Sequence, residues 1–292
     1  MRYRYRVVDV FTTQQLQGNP LAVFPNASGL DQLTMQKIAR ELNLSETTFV
    51  LPPTRSDCIA RVRIFTPRQE MVFAGHPIIG TSFVLLDENL SGRSDGFALD
   101  IPVGPVPVRI ETDDRPLIWL TTPAVRWGAI YDRAICAEAL GLHPDDILHT
   151  TPQQLSAGNP TIFVAVKDKS AVDKAILDAP ALHRLKGAQK VAVCVFVFTP
   201  TAEGAYSRMF APEFGVPEDP ATGSATGPLA AYMIRHKLVS ASAGTRFVGE
   251  QGTAMGRKSI LYVQLNGESG AESIEVGGYV TPVVEANLTL DR

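Results

Sequence analysis

The chain has 292 residues, the length of two domains of ordinary size, and its 45% apolar and 20% charged residues are typical of globular proteins. Its formal charge of −3 gives no reason to expect a nucleic acid or an anionic membrane surface as a partner. No apolar run reaches the ~20 residues of a membrane helix and the first residues do not form a signal peptide, so we expect no membrane partner and a cytoplasmic location.

Hydrophobic periodicity in the first half predicts more strands than helices. Between residues 58 and 66, Ala60, Val62 and Ile64 alternate with other residues, which is typical of a strand with one buried face. Between residues 33 and 43 the apolar residues recur at helical spacing. The predicted strands of this half cover 5–11, 47–51, 58–66, 98–101, 106–111 and 117–121, and the predicted helices cover 33–43 and 77–90.

The second half shows a similar order of patterns. Its predicted strands cover 161–166, 191–199, 205–210, 245–248, 260–265 and 273–280, and its predicted helices cover 132–141, 171–177 and 223–238. Strands that follow one another in runs, with few helices between them, predict an α+β fold and not an alternating parallel one.

Three short motifs of the first half recur in the same order in the second half, which predicts an internal duplication. The pairs are Gly18-Asn19-Pro20 with Gly158-Asn159-Pro160, Arg63-Ile64-Phe65-Thr66-Pro67 with Arg208-Met209-Phe210-Ala211-Pro212, and His76-Pro77-Ile78-Ile79-Gly80-Thr81 with Asp219-Pro220-Ala221-Thr222-Gly223-Ser224. Their offset is roughly constant, at about 140–145 residues. We therefore expect two pseudo-symmetric domains, 1–125 and 126–278, with an active site in the cleft between them.

Small residues are expected to open the long apolar helix of each half, Gly80-Thr81 in the first and Gly223-Ser224 in the second. Glycine permits close backbone approach, and the first N–H groups of a helix have no internal acceptor. Two such helix ends would attract an anion such as a carboxylate. The alternative is that Thr81 and Ser224 only cap their helices.

Three side chains are candidates for acid–base chemistry. In the third motif pair, one copy carries an imidazole, His76, at the place where the other copy carries a carboxylate, Asp219. This difference suggests divided proton-transfer roles. Glu46 stands where a helix gives way to a strand, and burial beside Phe49 and Val50 would raise its pKa and improve it as a proton carrier. Taken singly, each also fits a structural role: a satisfied buried histidine, a loop cap and a surface glutamate.

Other chemistries find little support in the sequence. The remaining histidines lack the spacing of a zinc site, and Cys58, Cys136 and Cys194 are too few and too dispersed for a disulfide framework. There is no Walker loop, no dinucleotide fingerprint and no Gly-x-Ser-x-Gly elbow. A reaction that needs only the movement of a proton remains.

Five segments together are specific to one family. They are Asp9-Val10-Phe11-Thr12, Gly18-Asn19-Pro20, Leu44-Ser45-Glu46-Thr47-Thr48-Phe49, Gly75-His76-Pro77 and Glu218-Asp219-Pro220-Ala221-Thr222-Gly223-Ser224-Ala225. At these residues the chain resembles the PhzF (phenazine biosynthesis) family, which shares its fold with diaminopimelate epimerase. The resemblance implies two domains, each a curled and mostly antiparallel sheet around a central helix, with a C-terminal strand, 279–292, that returns to the first domain. It also implies a homodimer with no metal and no cofactor.

The resemblance further implies an isomerase of a small carboxylate, with trans-2,3-dihydro-3-hydroxyanthranilate as the family-type substrate. Glu46 would act as base and then as acid, while His76, Asp219 and Ser224 would orient the substrate and assist the proton. The residues implied to line the pocket are Asn19, Ser45, Gly75, Thr222 and Gly223. Epimerases of this fold use two cysteines, and this chain has Ala74 and Thr222 at those places. Two alternatives stay open: an epimerase or racemase of another small acid, and a non-catalytic metabolite-binding protein.

Overall fold

The structure, a computed structural model, describes residues 1–90, 92, 95–240, 242, 244–266 and 273–291. Arg292, at the end of the predicted returning strand, and residues 241, 243 and 267–272 of the predicted second half lie outside the described residues. The chain divides into two compact units, Met1–Thr121 with Val276–Arg292 (unit 1) and Thr122–Glu275 (unit 2). Among the described residues, no helix is long and apolar enough to cross a membrane.

The elements follow one another in a recurring order of strands and helices. Up to residue 121 they are β1 (Arg2–Val10), β2 (Asn19–Phe24), α1 (Gln32–Leu42), β3 (Glu46–Leu51), β4 (Ala60–Phe65), β5 (Glu70–Met71), α2 (Gly75–Asp87), β6 (Gly96–Ile101), β7 (Gly104–Thr112) and β8 (Pro116–Thr121). They continue with β9 (Arg126–Ile130), α3 (Arg133–Ala139), β10 (Gln153–Ser156), β11 (Thr161–Ala165), α4 (Lys169–Lys174), α5 (Ala179–Lys186), β12 (Cys194–Thr201), β13 (Gly204–Ala211), β14 (Val216–Asp219), α6 (Gly223–Arg235), β15 (Arg246–Gln251) and β16 (Ser259–Asn266). The final strands are β17 (Ser273–Gly278) and β18 (Val280–Thr289).

The sheet of unit 1 runs in the order β18, β1, β2, β3, β4, β6, β7 and β8, with the short β5 beside β4. Among the strand pairings described for this sheet, β2 with β3 and β4 with β6 are parallel. Helix α2 packs against β8 at one end of this order and against β1 and β18 at the other. The sheet therefore curls around a central helix.

The sheet of unit 2 follows the same order and the same strand directions. It runs β9, β10, β11, β12, β13, β15 and β16, with β14 beside β13, and the parallel pairs are β11 with β12 and β13 with β15. Helix α6 packs on β10, β11 and β16. Mostly antiparallel sheets with few helices are an α+β fold, as the sequence predicts.

A bidentate ion pair marks the same place in both units. Arg63 of β4 donates to Glu70 of β5 with Nε–Oε1 and Nη2–Oε2 distances of 2.7 and 2.6 Å, and Arg208 of β13 donates to Glu218 of β14 at 2.8 and 2.7 Å. Each guanidinium also lies over the phenylalanine ring two residues further along its strand. Glu70 thus corresponds to Glu218.

This correspondence corrects the third motif pair of the sequence analysis. Counting on from Glu70 and Glu218 sets Gly75 beside Gly223 and His76 beside Ser224, five residues away from the predicted partner Asp219. The two motifs share a proline, Pro77 in one and Pro220 in the other, but these prolines hold different positions in the fold. Pro77 is the third residue of α2, whereas Pro220 precedes α6.

Helix α2 also begins earlier than the sequence predicts, at Gly75 and not at Pro77. A proline in the first turn of a helix removes an N–H that has no acceptor in any case, so Pro77 does not mark the start of the helix. Gly80 and Thr81 consequently lie inside α2, not at its opening, and cannot offer free N–H groups to an anion. A Cβ at Gly80 would come within 2.6 Å of Leu21 and 2.8 Å of Val10, so this glycine permits close packing of α2 on β1 and β2.

Some elements lack a signal in the sequence. Helix α5 and the strands β5, β9, β10 and β14 are not predicted by the sequence. The predicted strand 273–280 is interrupted at Tyr279, whose carbonyl oxygen accepts from the N–H groups of Phe11 and Thr12. The alternation in β4 was predicted correctly: Ala60, Val62 and Ile64 are buried while Arg61 is exposed.

Candidate active site

The predicted site residues fall into two clusters, one in each unit. In unit 1, β3 carries Glu46 and Thr48 on one face, because alternate residues of a strand point the same way. The Thr48 hydroxyl lies 2.8 Å from the hydroxyl of Thr81 in a buried hydrogen bond, which ties this face of β3 to α2. The same face brings Glu46 to the first turn of α2.

The carboxylate of Glu46 meets the imidazole of His76 there. Oε2 of Glu46 lies 3.4 Å from Nε2 of His76, and the Glu46 side chain is only 14% exposed. On the other side of the ring, Nδ2 of Asn19 lies 3.2 Å from Nδ1 of His76. Asn19, His76 and Glu46 thus form a continuous row of polar groups in the interior of unit 1.

His76 is neutral at physiological pH. Burial lowers the pKa of its imidazole from 6.5 to about 3, because the charged ring would lose its hydration. The neutral ring has one N–H and one lone pair, so it can donate to one neighbour and accept from the other.

Two further predicted pocket residues accompany this cluster. Gly75 is the first residue of α2, directly before His76, and Ser45 is half-buried directly before Glu46. The side chain of Asn19, also a predicted pocket residue, is fully buried and lies against the ring of His76.

In unit 2, Asp219 ends β14 and is held by its neighbours. The hydroxyl of Thr222 donates to Oδ2 of Asp219, so Thr222 does not use its side chain to cap α6. Thr222 and Ser224 are buried like Asp219, and Gly223 is the first residue of α6. The predicted residues Asp219, Thr222, Gly223 and Ser224 therefore form one cluster.

Sequence reasoning missed Gln251, at the end of β15. Its Nε2 donates to the backbone oxygen of Asp219 at 2.7 Å and to the Thr222 hydroxyl at 3.1 Å, and its Oε1 accepts from the N–H of Thr222 at 3.1 Å. Gln251 is only 1% exposed, and its buried amide holds the loop between β14 and α6 in place. A glutamine without a surrounding motif has no signal in a single sequence.

Gly252 supports the same loop. It has φ of +75°, and a Cβ on it would come within 2.5 Å of the backbone oxygens of Pro220 and Arg257. Only glycine accepts both this backbone conformation and this close approach. Gln251 and Gly252 thus together support the loop that carries Asp219.

The two long helices open in the same way. Ala74 and Thr222 are the N-cap residues of α2 and α6, and neither caps its helix through a side chain. These are the places where the epimerases implied by the resemblance carry their two cysteines. The three cysteines of this chain are free and buried elsewhere, and burial raises the pKa of the Cys136 thiol to about 12. Two-thiol chemistry therefore has no support here.

Comparison with known proteins extends over nearly the whole chain. Trans-2,3-dihydro-3-hydroxyanthranilate isomerase of Pseudomonas aeruginosa is 36% identical over 286 residues, which cover 94% of this chain and 95% of that protein. An uncharacterized isomerase of Clostridium acetobutylicum is 32% identical and covers 99% of both chains. The expectation of an isomerase is confirmed by these relatives.

Solved structures agree with the fold. A phenazine biosynthesis protein of the PhzF family from Bacillus anthracis superposes with a TM-score of 0.87 at 23% identity, covering 99% of this chain and 100% of that one. A predicted epimerase from Pseudomonas aeruginosa gives 0.82 at 33% identity with the same coverage. A probable proline racemase from Agrobacterium radiobacter gives 0.69 at 15% identity, covering 99% and 93%, and shows the fold alone. The diaminopimelate epimerase-like fold is confirmed.

The family model described as phenazine biosynthesis-like protein, PhzC-PhzF, matches residues 8–286. This range includes all nine predicted site residues, from Asn19 to Ser224. The chain therefore belongs to the PhzC-PhzF family of phenazine biosynthesis-like proteins.

Proposed function

We propose that this isomerase moves a proton between carbon atoms of a small carboxylate, with Glu46 as the base that removes the proton and the acid that returns it. The observation that carries the proposal is the contact between Glu46 and His76. A carboxylate shielded from solvent, with one neutral imidazole at 3.4 Å, is suited to gain and lose a proton. Metabolite binding alone does not require a group that gains and loses a proton.

The proposed substrate is trans-2,3-dihydro-3-hydroxyanthranilate, after the relatives of 34–36% identity that are named for it. We further propose that Asp219 and Ser224 of unit 2 act on the same substrate molecule as Glu46 and His76. The first turns of α2 and α6 would then receive the carboxylate group of the substrate, since the N–H groups of a helix start favour an anion.

The reaction would need no cofactor and no metal, because each step transfers a proton between a side chain and carbon. Within the described residues, no three His, Cys, Asp or Glu side chains are grouped to ligate a metal ion. A homodimer in the cytoplasm is the form we propose for the active protein, by its family membership.

The substitution Glu46→Gln tests the proposal. The amide keeps the shape and nearly the volume of the side chain, so the fold should persist. Transfer of deuterium from heavy water into the product should fall by about 10²–10⁴-fold, the contribution of one general acid–base group. The control is Glu41→Gln, which changes an exposed carboxylate on α1. Substantial deuterium incorporation by folded Glu46→Gln would refute the assigned role.

A second candidate is an epimerase of another small acid, favoured by the likeness to the predicted epimerase of 33% identity. Since the N-cap positions hold Ala74 and Thr222, such a reaction would have to use carboxylates in place of thiols. Incubating panels of chiral carboxylic acids in heavy water separates the two. Deuterium gain with inversion at one carbon indicates epimerisation, whereas deuterium at a new carbon with a shifted double bond indicates the isomerase.

A further inference from the structure

Asn19 is held in place by the backbone around it. It begins β2, where it pairs with Val10 of β1. The preceding Gly18 has φ of +69°, and a Cβ on it would come within 2.3 Å of the Val10 carbonyl oxygen. The Asn19 side chain is fully buried, so its position beside the His76 ring is fixed and it does not face solvent.

The contact between Asn19 and His76 has a direction. As the side chain lies, the amide nitrogen of Asn19 faces Nδ1 of His76 at 3.2 Å. An amide nitrogen only donates, so in this arrangement Nδ1 offers its lone pair. The single proton of the neutral ring is then on Nε2, the atom that lies 3.4 Å from Oε2 of Glu46. We propose that Asn19 is a positioning residue that fixes His76 in the Nε2–H tautomer and thereby directs an N–H at the carboxylate of Glu46.

The other two states of the ring would hinder a base at Glu46. With the proton on Nδ1, the lone pair of Nε2 would face the carboxylate and repel it. With both nitrogens protonated, the positive ring would hold the carboxylate in its charged form and weaken it as a base. The Nε2–H tautomer alone steadies the carboxylate through a neutral donor and leaves it able to take up a proton.

The consequence of this tautomer for catalysis rests on the proposed role of Glu46, whereas the protonation state of the ring does not.

The Gly-Asn-Pro motif of unit 2 supplies a matched control. Asn159 is half-buried, and its backbone oxygen accepts from the hydroxyl of Thr161. Asn19→Asp and Asn159→Asp thus make the same chemical change in the same motif.

The test is nitrogen-15 NMR of the five histidine rings in the substrate-free protein, with the His76 signals assigned by their loss in His76→Gln. In the unaltered protein, Nδ1 of His76 should show the shift of an unprotonated nitrogen and Nε2 that of a protonated one. Asn19→Asp should protonate Nδ1, because a carboxylate accepts where the amide donated. Asn159→Asp should leave the His76 signals unchanged.

A protonated Nδ1 in the unaltered protein would overturn the proposal, even if Asn19→Asp failed to fold. So would unchanged His76 signals in folded Asn19→Asp. With a substrate in hand, folded Asn19→Asp should lose about tenfold to a hundredfold in kcat with little change in KM, as for a misdirected catalytic group. An Nε2–H tautomer together with an active Glu46→Gln variant would keep this inference and refute the proposed function.

Discussion

Ser224 of α6 holds the position that His76 holds in α2. Each is the second residue of a helix of 13 residues that begins with glycine. The two units thus present different groups at corresponding places: a titratable imidazole in unit 1 and a hydroxyl in unit 2. The sequence analysis paired His76 with Asp219, whereas by position in the two helices the counterpart of His76 is Ser224.

The buried imidazole should make stability depend on pH. The pKa of His76 is about 3 in the folded protein and about 6.5 when unfolded, so below pH 6.5 the unfolded chain binds a proton that the folded chain does not. The free energy of unfolding should therefore fall as the pH falls from 6.5, by up to about 1.4 kcal/mol per pH unit from this residue. Urea titrations between pH 7 and pH 5 measure the slope.

His76→Gln removes this titration and should flatten that slope. His143→Gln, at a ring whose side chain is 72% exposed, is the control for the loss of an imidazole elsewhere in the chain. Equal slopes in all three proteins would show that His76 is protonated alike in the folded and unfolded states.

Gly80→Ala tests whether this glycine serves packing or a ligand. Alanine favours a helix by about 1 kcal/mol over glycine, but a Cβ here would overlap buried Leu21 and Val10. We expect a net loss of about 1 kcal/mol in the free energy of unfolding, since an overpacking cost of about 2 kcal/mol exceeds the propensity gain. Adding Leu21→Val should restore part of the loss. Thermal unfolding measures both variants, and unchanged stability of Gly80→Ala would contradict the packing role of Gly80.

Gln251→Met should disturb the loop that carries Asp219. The thioether fills similar space but leaves the Thr222 N–H and the Asp219 carbonyl without their glutamine partner, at a cost of about 2–3 kcal/mol. In the folded fraction, kcat should fall while activity of a Gln264→Met control on β16 stays normal. Crystallography or hydrogen exchange at residues 219–223 would show the released loop. Unaltered stability and kcat would contradict the supporting role of Gln251.

The strands and the acid–base candidate of unit 1 could be predicted because their signals are local. Alternation locates β4, and the Ser45-Glu46-Thr47 segment after α1 marks Glu46 as a candidate through its resemblance to the family. The start of α2 could not be predicted from Pro77, because proline occurs both directly before a helix and within its first turn. Gln251 joins Asp219 across 32 residues of chain through hydrogen bonds that no periodicity records.

The pairing of β18 with β1 has a consequence for synthesis. Unit 2 is one continuous stretch, Thr122–Glu275, whereas unit 1 needs β18 to cover the open side of β1. A ribosome finishes every residue of unit 2 before it reaches Val280, and domains fold as units when their residues are available. We therefore expect unit 2 to complete its fold before unit 1, although most of unit 1 is synthesised first. Until β18 emerges, the nascent chain exposes the unpaired edge of β1, which can pair with strands of other chains.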